Sequence, residues 1–399
     1  MKIIALPLAL IAGSASAQSF DPADELRADA AMRTSSLAET GAGWEKGNFF
    51  ITDGGANTLK VYGFTQFRYL ANFRDEDSAG EQGDFTHGFQ MRRTRLGMKG
   101  SIWDKNLTFD IVGEFSRSTG VFTLVDGFAQ YKFDNGMNVR WGQFKVPFMR
   151  EELISDVRQL TVERSTFNTV FSQMRSQGIQ LGYEGEKFRG WAEVSDGGNA
   201  INTDFTSGSE ADFGLTARGE FRWGDGDFKR FEDFTSWRGS KYAGLVGAAV
   251  HYHDGGETGG TTDTAVFSAT VDVSIEGDGW NLFAAGAWRN TDPAGGASTD
   301  DFGVVVQGGF FFSDQCEAFA RYDAIFPDDA NGDDFHTLTA GVNYYVSPQS
   351  HAVKISADVQ YYFNDEGTNA LVSPTTGSNL LADTEDGQVA LRVQAQVMF

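Results

Sequence analysis

Three cations, Arg93, Arg95 and Lys99, stand at even spacing in the run Arg92-Arg93-Thr94-Arg95-Leu96-Gly97-Met98-Lys99. In an extended chain that spacing sets them in a ladder on one face. Such a ladder attracts anions and replaces part of their hydration shell with directed N–H donors. The same parity along other alternating stretches selects Arg68, Arg140, Arg218, Arg222, Arg289, Arg321, Lys354 and Arg392, together with Asp110, Glu114, Asp126, Glu220, Glu317, Asp323 and Asp358. Eleven basic groups against seven acidic ones support two chemistries. One is an anion-attracting lining; the other is a lattice in which arginines pair with carboxylates and hold a wall in shape. One ladder is able to do both, and counting charges does not separate them.

Other chemistries lack their residues. There is no GxSxG motif and no His beside a Ser and Asp on one strand face, so no catalytic role is expected. A single cysteine, Cys316, leaves no intrachain disulfide and no CxxC site. His251 and His253 lie two apart and read as a rim pair facing water rather than as metal ligands. The clusters Asp328-Asp329 and Asp333-Asp334 lack the spacing of an EF-hand loop. No cofactor, metal or nucleic-acid partner is expected.

The elements that must position the cations are strands. Compatible stretches run at 60–73, 88–100, 106–116, 121–133, 137–147, 175–184, 187–195, 212–223, 241–253, 264–276, 279–290, 302–313, 316–326, 335–346, 351–363 and 387–399, sixteen in all. Most are long enough for a tilted strand to cross a bilayer. In the clearest of them Phe213, Leu215, Ala217, Gly219, Phe221 and Trp223 alternate with Thr216, Arg218, Glu220 and Arg222. The stretches at 187–195 and 241–253 are ambiguous in face. Connections alternate short and long, as in barrels with short periplasmic turns and long external loops, except that 117–120 is a short external loop and 224–240 a long periplasmic turn. Forty-eight glycines and thirty-five phenylalanines against seven prolines suit the same architecture.

Both chain ends agree with it. Lys2, the apolar run Ile3 to Ala12 and Ala15-Ser16-Ala17 read as a secretory signal over residues 1–17. Residues 18–59 read as a periplasmic leader, with helical composition from Asp24 to Leu37, and 60–399 as the barrel. The last stretch sets Val389, Leu391, Val393, Ala395, Val397 and Phe399 on one face. A terminal Phe399 with apolar residues two, four and six positions earlier looks like the signal that outer-membrane assembly machinery reads. The expected fold is all-β, a transmembrane antiparallel β-barrel of about sixteen strands in the bacterial outer membrane, among its lipids.

The formal charge of −23 is concentrated in six loop windows, 74–87, 196–212, 254–263, 292–301, 328–334 and 365–386, which hold 24 acidic residues against one basic residue, Arg74. The wall is close to neutral. Segment 148–174 carries too many apolar residues (Leu153, Ile154, Val157, Leu160, Val162, Phe167, Val170, Phe171) for a loop in solvent. It is expected to fold inward and narrow the barrel, bringing Arg150, Arg158 and Arg164 to the constriction.

The chain resembles the phosphate-selective porin O and P family. The segments that carry the likeness are Gly47-Asn48-Phe49-Phe50 leading into Val61-Tyr62-Gly63-Phe64-Thr65-Gln66-Phe67, then Arg92 to Gly100, Gly142-Gln143-Phe144-Lys145-Val146-Pro147-Phe148 with Glu151-Glu152, and the closing Val393 to Phe399. The resemblance implies a sixteen-stranded, usually trimeric barrel with inward-folded loops, passing phosphate or other small anions. It departs from the family in its weak basic surplus and acidic loops. A general or weakly cation-preferring porin, and a structural or adhesive barrel, remain as alternatives.

Overall fold

The computed structural model describes residues 41–45, 48–74, 85–207, 210–255, 263–375, 377–383 and 385–399. The signal and the helical part of the leader lie outside them. The described part of the leader is a hairpin, β1 (Gly41–Glu45) and β2 (Asn48–Thr52), which the sequence did not suggest. Sixteen strands follow: β3 (Thr58–Phe73), β4 (Phe85–Ile102), β5 (Asp104–Phe115), β6 (Phe122–Lys132), β7 (Met137–Lys145), β8 (Arg175–Glu184), β9 (Phe188–Ser195) and β10 (Phe213–Gly224). The second half comprises β11 (Ala243–Gly255), β12 (Thr264–Gly277), β13 (Trp280–Pro293), β14 (Thr299–Phe311), β15 (Cys316–Phe326), β16 (Phe335–Tyr345), β17 (Val353–Tyr362) and β18 (Val389–Met398).

Each strand pairs antiparallel with the next, and β18 pairs with β3 from Val389↔Phe73 to Met398↔Phe64, closing the barrel. Phe399 completes the seam: its N–H donates to the Gly63 carbonyl at 3.0 Å and its carbonyl accepts from the Gly63 N–H at 2.9 Å. A side chain at Gly63 would strike the Arg95 carbonyl oxygen of β4 at 2.6 Å and the Phe399 ring at 2.9 Å, so this position requires a glycine. Past the end of β18, β2 takes over as the partner of β3, from Phe49↔Val61 to Thr52↔Thr58.

The alternation sorts side chains as the sequence implies. Along β10 Phe213, Leu215, Ala217 and Phe221 are exposed on the outer wall, while Thr216, Arg218, Glu220 and Arg222 are buried inside. The outer band of Phe, Val, Leu and Ile faces lipid, where burial of apolar surface is favourable and every backbone polar group must be paired by the ladder. The two ambiguous strands resolve. β9 turns Arg189, Glu193 and Ser195 inward, and β11 turns Leu245, Ala249 and His251 inward. Strand β11 looked two-sided because its inner face carries Ala243 and Leu245, which are covered by Phe228 and Phe231 of the turn after β10.

Three connections fold into the barrel. The external loop 146–174 contains α1 (Arg150–Leu153), a 3₁₀ turn (Asp156–Arg158) and α2 (Thr166–Phe171), with the Ser165 side chain capping α2 by accepting from Asn168 N–H at 2.9 Å. The periplasmic turn 225–242 enters from the other side with a 3₁₀ helix at Phe228–Glu232. The last loop, between β17 and β18, packs Val372 and Leu380 inward. Together with Phe283, Val305, Phe319, Ile325 and Phe335 from the wall, these segments form a hydrophobic core inside the barrel. The close approach is visible at Gly303 on β14, where a Cβ would lie 2.4 Å from the Phe171 ring.

Candidate functional site: the divided lumen

The inward loop is held first by charge. Glu163 accepts from Arg68 at 2.8 Å, from Arg93 at 2.9 Å and from Arg92. Asp156 is bound by Arg95 at 2.5 Å, Arg93 at 3.2 Å and Arg164. Burial alone would raise both carboxyl groups. The surrounding guanidinium groups, Arg164, Arg93 and Arg95 at Asp156 and Arg92, Arg93 and Arg68 at Glu163, outweigh it and hold each well below the usual carboxylate range. Glu151, whose carboxylate accepts from Ser165 N–H at 2.7 Å, is pushed up by burial despite Arg321 nearby.

Most of the cations selected by parity serve this seat. Arg68 donates to Gly377 O at 2.8 Å and Arg392 to Ser378 O at 3.0 Å. Arg218 reaches Phe148 O at 2.8 Å, Arg289 Val170 O at 3.0 Å, Arg321 Glu163 O at 2.8 Å and Lys354 Gln159 O at 2.8 Å. Carboxylates complete their shells: Asp358 with Arg392 at 2.6 Å, Asp272 and Glu220 with Arg218 at 2.8 Å, Asp301 with Arg289 at 3.0 Å. Arg222 lies under the periplasmic turn, its guanidinium 5.5 Å from the Phe228 ring. Arg68, Arg93, Arg218, Arg222, Arg321, Lys354 and Arg392 are therefore inside the barrel but buried, and do not line open water. Parity reports which side of the wall a residue faces, whereas the covering loop decides whether that side is wet.

In the constriction segment, Arg150 is buried, donating to Phe231 O and to Ser274 Oγ at 3.1 Å. Arg164 is tied to Glu152 at 3.2 Å and to Asp156. Arg158 alone of the three lines open cavities, donating to Glu232 O at 3.3 Å.

Open space remains along β3 to β9. Three adjoining cavities of about 280, 240 and 340 Å³ run between that wall, the inward loop and the periplasmic turn, and all three reach Arg140. Arg140 has no carboxylate within 4.0 Å among the described residues; its Nε and Nη2 donate to Gln130 Oε1 at 3.0 and 2.8 Å. Lys99 is exposed, with its ammonium 4.3 Å from the centre of the Tyr62 ring. Arg95 faces the first cavity between Glu114 and Asp156.

Sequence reasoning missed several members of the site. Arg92 reaches Glu163 because the ladder slips between Gln66 and Phe67, leaving Arg92 opposite no residue of β3. The signal was present: plain alternation would have sent Arg92 into lipid. Lys145 and Arg175 fall off the parity of Arg140 and Gln180, yet both face the lumen. The alternation changes at the facing pair Gly142 and Gly178, where Gly142 has φ +123° and a Cβ would strike Gly127 O at 2.3 Å. Lys145 donates to Glu152 O at 2.5 Å, and Arg175 pairs with Asp126 at 2.8 Å. Arg189, hidden by the unresolved register of its strand, pairs with Glu220 at 2.6 Å.

The histidine pair is no rim pair in water. His251 is buried, 2.9 Å from His253 and 2.8 Å from Thr216 Oγ1. Among the described residues no third ligand joins them. The acidic windows also need correction, since Asp301 stands inside the wall on β14 beside Arg289 and Asp383 is buried in the last loop.

A family model, phosphate-selective porin O and P, matches residues 65–399. No curated protein sequence matches the chain. Among solved structures, the anion-selective porin from Comamonas acidovorans superposes with a TM-score of 0.60 at 12% identity, over 86% of this chain and 100% of its own. The trimer form of OmpT, an outer-membrane protein of Vibrio cholerae, gives 0.56 at 15%, over 86% and 100%. The outer-membrane channel DcaP of Acinetobacter baumannii gives 0.56 at 14%, over 86% and 98%. At these identities the likeness is one of fold.

Proposed function

We propose, for a chain that belongs to the phosphate-selective porin O and P family and is a porin of the bacterial outer membrane, that small anions pass it along the open side of the lumen, guided by Arg140, Lys99 and Arg158. The observation that carries this reading is Arg140, a guanidinium without a carboxylate partner among the described residues, at the junction of three cavities. A fixed positive charge beside confined water raises the local anion concentration. The buried wall cations act instead as a lattice that seats the loops. Passage is passive, with no reaction at the lumen; phosphate is one of several anions admitted.

Reversal potentials of the purified protein in a KCl gradient test the reading. Chloride preference is expected, and Arg140→Gln should bring the potential toward zero. Arg321→Gln, beneath the loop, should leave selectivity in place and lower stability instead. Preference for potassium over chloride would reject the anion pathway in favour of a general or cation-preferring pore.

The assembly follows from the same frame. The Vibrio cholerae protein of similar fold is described in a trimer form, and a homotrimer is the state proposed here, to be read from the mass of the detergent-extracted protein. The pairing of Phe399 with Gly63 supports a role for the terminal residue in closing the barrel during assembly, and Phe399→Ala should reduce the folded fraction in the outer membrane.

A further inference from the structure

The geometry points to a subsite at Arg140 for a monocarboxylate with an apolar, planar body, such as an aromatic acid. This deepens the channel reading and rests on it. Arg140 is oriented before any solute arrives: Nε and Nη2 both donate to Gln130 Oε1, which fixes the guanidinium plane, while Nη1 donates to no acceptor among the described residues. The group sits over two rings, its carbon 4.5 Å from the centre of Phe128 and 5.4 Å from that of Phe144. Those two rings meet edge to face at 6.1 Å. Across the first cavity, Tyr62, Val112 and Leu153 offer apolar surface. The site therefore sets one oriented cation, without a carboxylate partner among the described residues, beside an apolar patch in a cavity whose remaining lining is mostly charged.

That combination selects among anions. A carboxylate takes one edge of a guanidinium through two parallel N–H···O bonds, and one such edge is what Arg140 presents. Its ring would then bury apolar area against Tyr62, Phe128 and Leu153, a gain that inorganic phosphate and acetate lack or have little of. Phosphate carries up to two charges and needs donors on several sides. Here Asp110, which has no ion pair among the described residues, lines the same cavity, and its charge opposes a second negative one. The neighbouring cations do not relieve this: Arg175 is taken by Asp126, and Lys145 by the carbonyls of Glu152, Leu153 and Ile154.

Block of chloride conductance in planar bilayers, using the purified full chain in KCl with benzoate, acetate or phosphate added at equal concentration, decides it. Benzoate is expected to half-block at a concentration at least ten-fold below acetate and phosphate. Arg140→Gln should raise the benzoate value about ten-fold, equivalent to ~1.4 kcal/mol of binding, Arg140→Lys should restore part of it, and Phe128→Leu should weaken benzoate more than acetate. Phosphate blocking as well as benzoate, or benzoate block unchanged in Arg140→Gln, overturns the subsite and leaves the channel standing. Absence of conductance steps, or potassium preference, overturns the channel reading itself. Should a variant fail to insert, the permeability ratio of benzoate to acetate through the unmodified protein decides the same question, and equal permeabilities overturn the subsite.

Discussion

The walls β4–β9 and β13–β18 face one lumen, and both turn alternate side chains inward apart from the breaks at Arg92 and Gly142, yet the described cavities at Arg140 lie along the first. On the second, Phe283, Val305, Phe319, Ile325 and Phe335 point inward and pack under Leu160, Phe167 and Phe171 of the loop. On the first, Asp110, Asp126 and Arg140 line open cavities. The sealed side behaves as the core of a soluble domain, with apolar contacts and a backbone-capping lattice of arginines. The open side keeps polar side chains beside water. The proposed function rests on the division, because a cation whose donors are spent on loop carbonyls has little left for a solute, whereas Arg140 retains an edge without an acceptor among the described residues.

The boundary between the two sides is the loop, and the sharpest way to break it is at Glu163. Glu163→Ala would leave Arg68, Arg92 and Arg93 crowded without their shared carboxylate. Breaking a buried ion pair by removing one partner costs roughly 3–5 kcal/mol. The loop is expected to lift from β3 and β4, so that single-channel conductance rises several-fold and the anion preference falls. Unchanged conductance in a folded variant would show that the apolar core alone fixes the loop.

The apolar half of the seal is tested by Phe171→Ala. Removing a buried ring from a packed core costs roughly 3–5 kcal/mol, and here the cavity would open beside Gly303 on the sealed wall. A lower unfolding midpoint in denaturant is expected, with reversal potential unchanged. A shift in selectivity comparable to that of Arg140→Gln would contradict the separation of the two sides.

Acid should loosen the same boundary more gradually. Asp156 and Glu163 have pKa values held below the ordinary 3.8 and 4.5. Groups with depressed folded pKa stabilise the seat fully above their ordinary values and lose that contribution as pH falls below them toward the folded values. Between pH 7 and 5 the conductance attributable to these groups should stay constant; below about pH 4 current noise and mean conductance should rise. In Asp156→Asn/Glu163→Gln that acid transition should vanish. A transition of the same size in the double variant would assign it to other carboxylates.

How much of this was legible in the sequence depends on which neighbour supplies the information. All sixteen barrel strands could be read, because alternation and turn residues are local, and the inward course of 148–174 followed from its apolar content. What escaped depended on distant partners. The periplasmic turn reads as long, but its inward packing depends on Leu245 of the following strand under Phe228 and Phe231 and on Phe283 of β13 against Phe234. Parity failed at the slip that carries Arg92 inward and at Gly142, both breaks in regular alternation. The largest change concerns the cations: Arg321 and Arg140 look alike in sequence, and only the loop carbonyls over one and open space beside the other separate them.

The smallest effect is expected outside both walls. Asp329 and Asp333 are exposed in the loop between β15 and β16, and charges there act on the pore only through salt solution. The screening length is about 30 Å at 0.01 M and 3 Å at 1 M. Asp329→Asn/Asp333→Asn should therefore move the reversal potential slightly toward chloride in dilute KCl and not at all near 1 M, while Arg140→Gln, acting inside the lumen, should retain its shift at both. An effect of the loop acids that persists at 1 M would place the entrance, rather than the open wall at Arg140, in control of which ions enter.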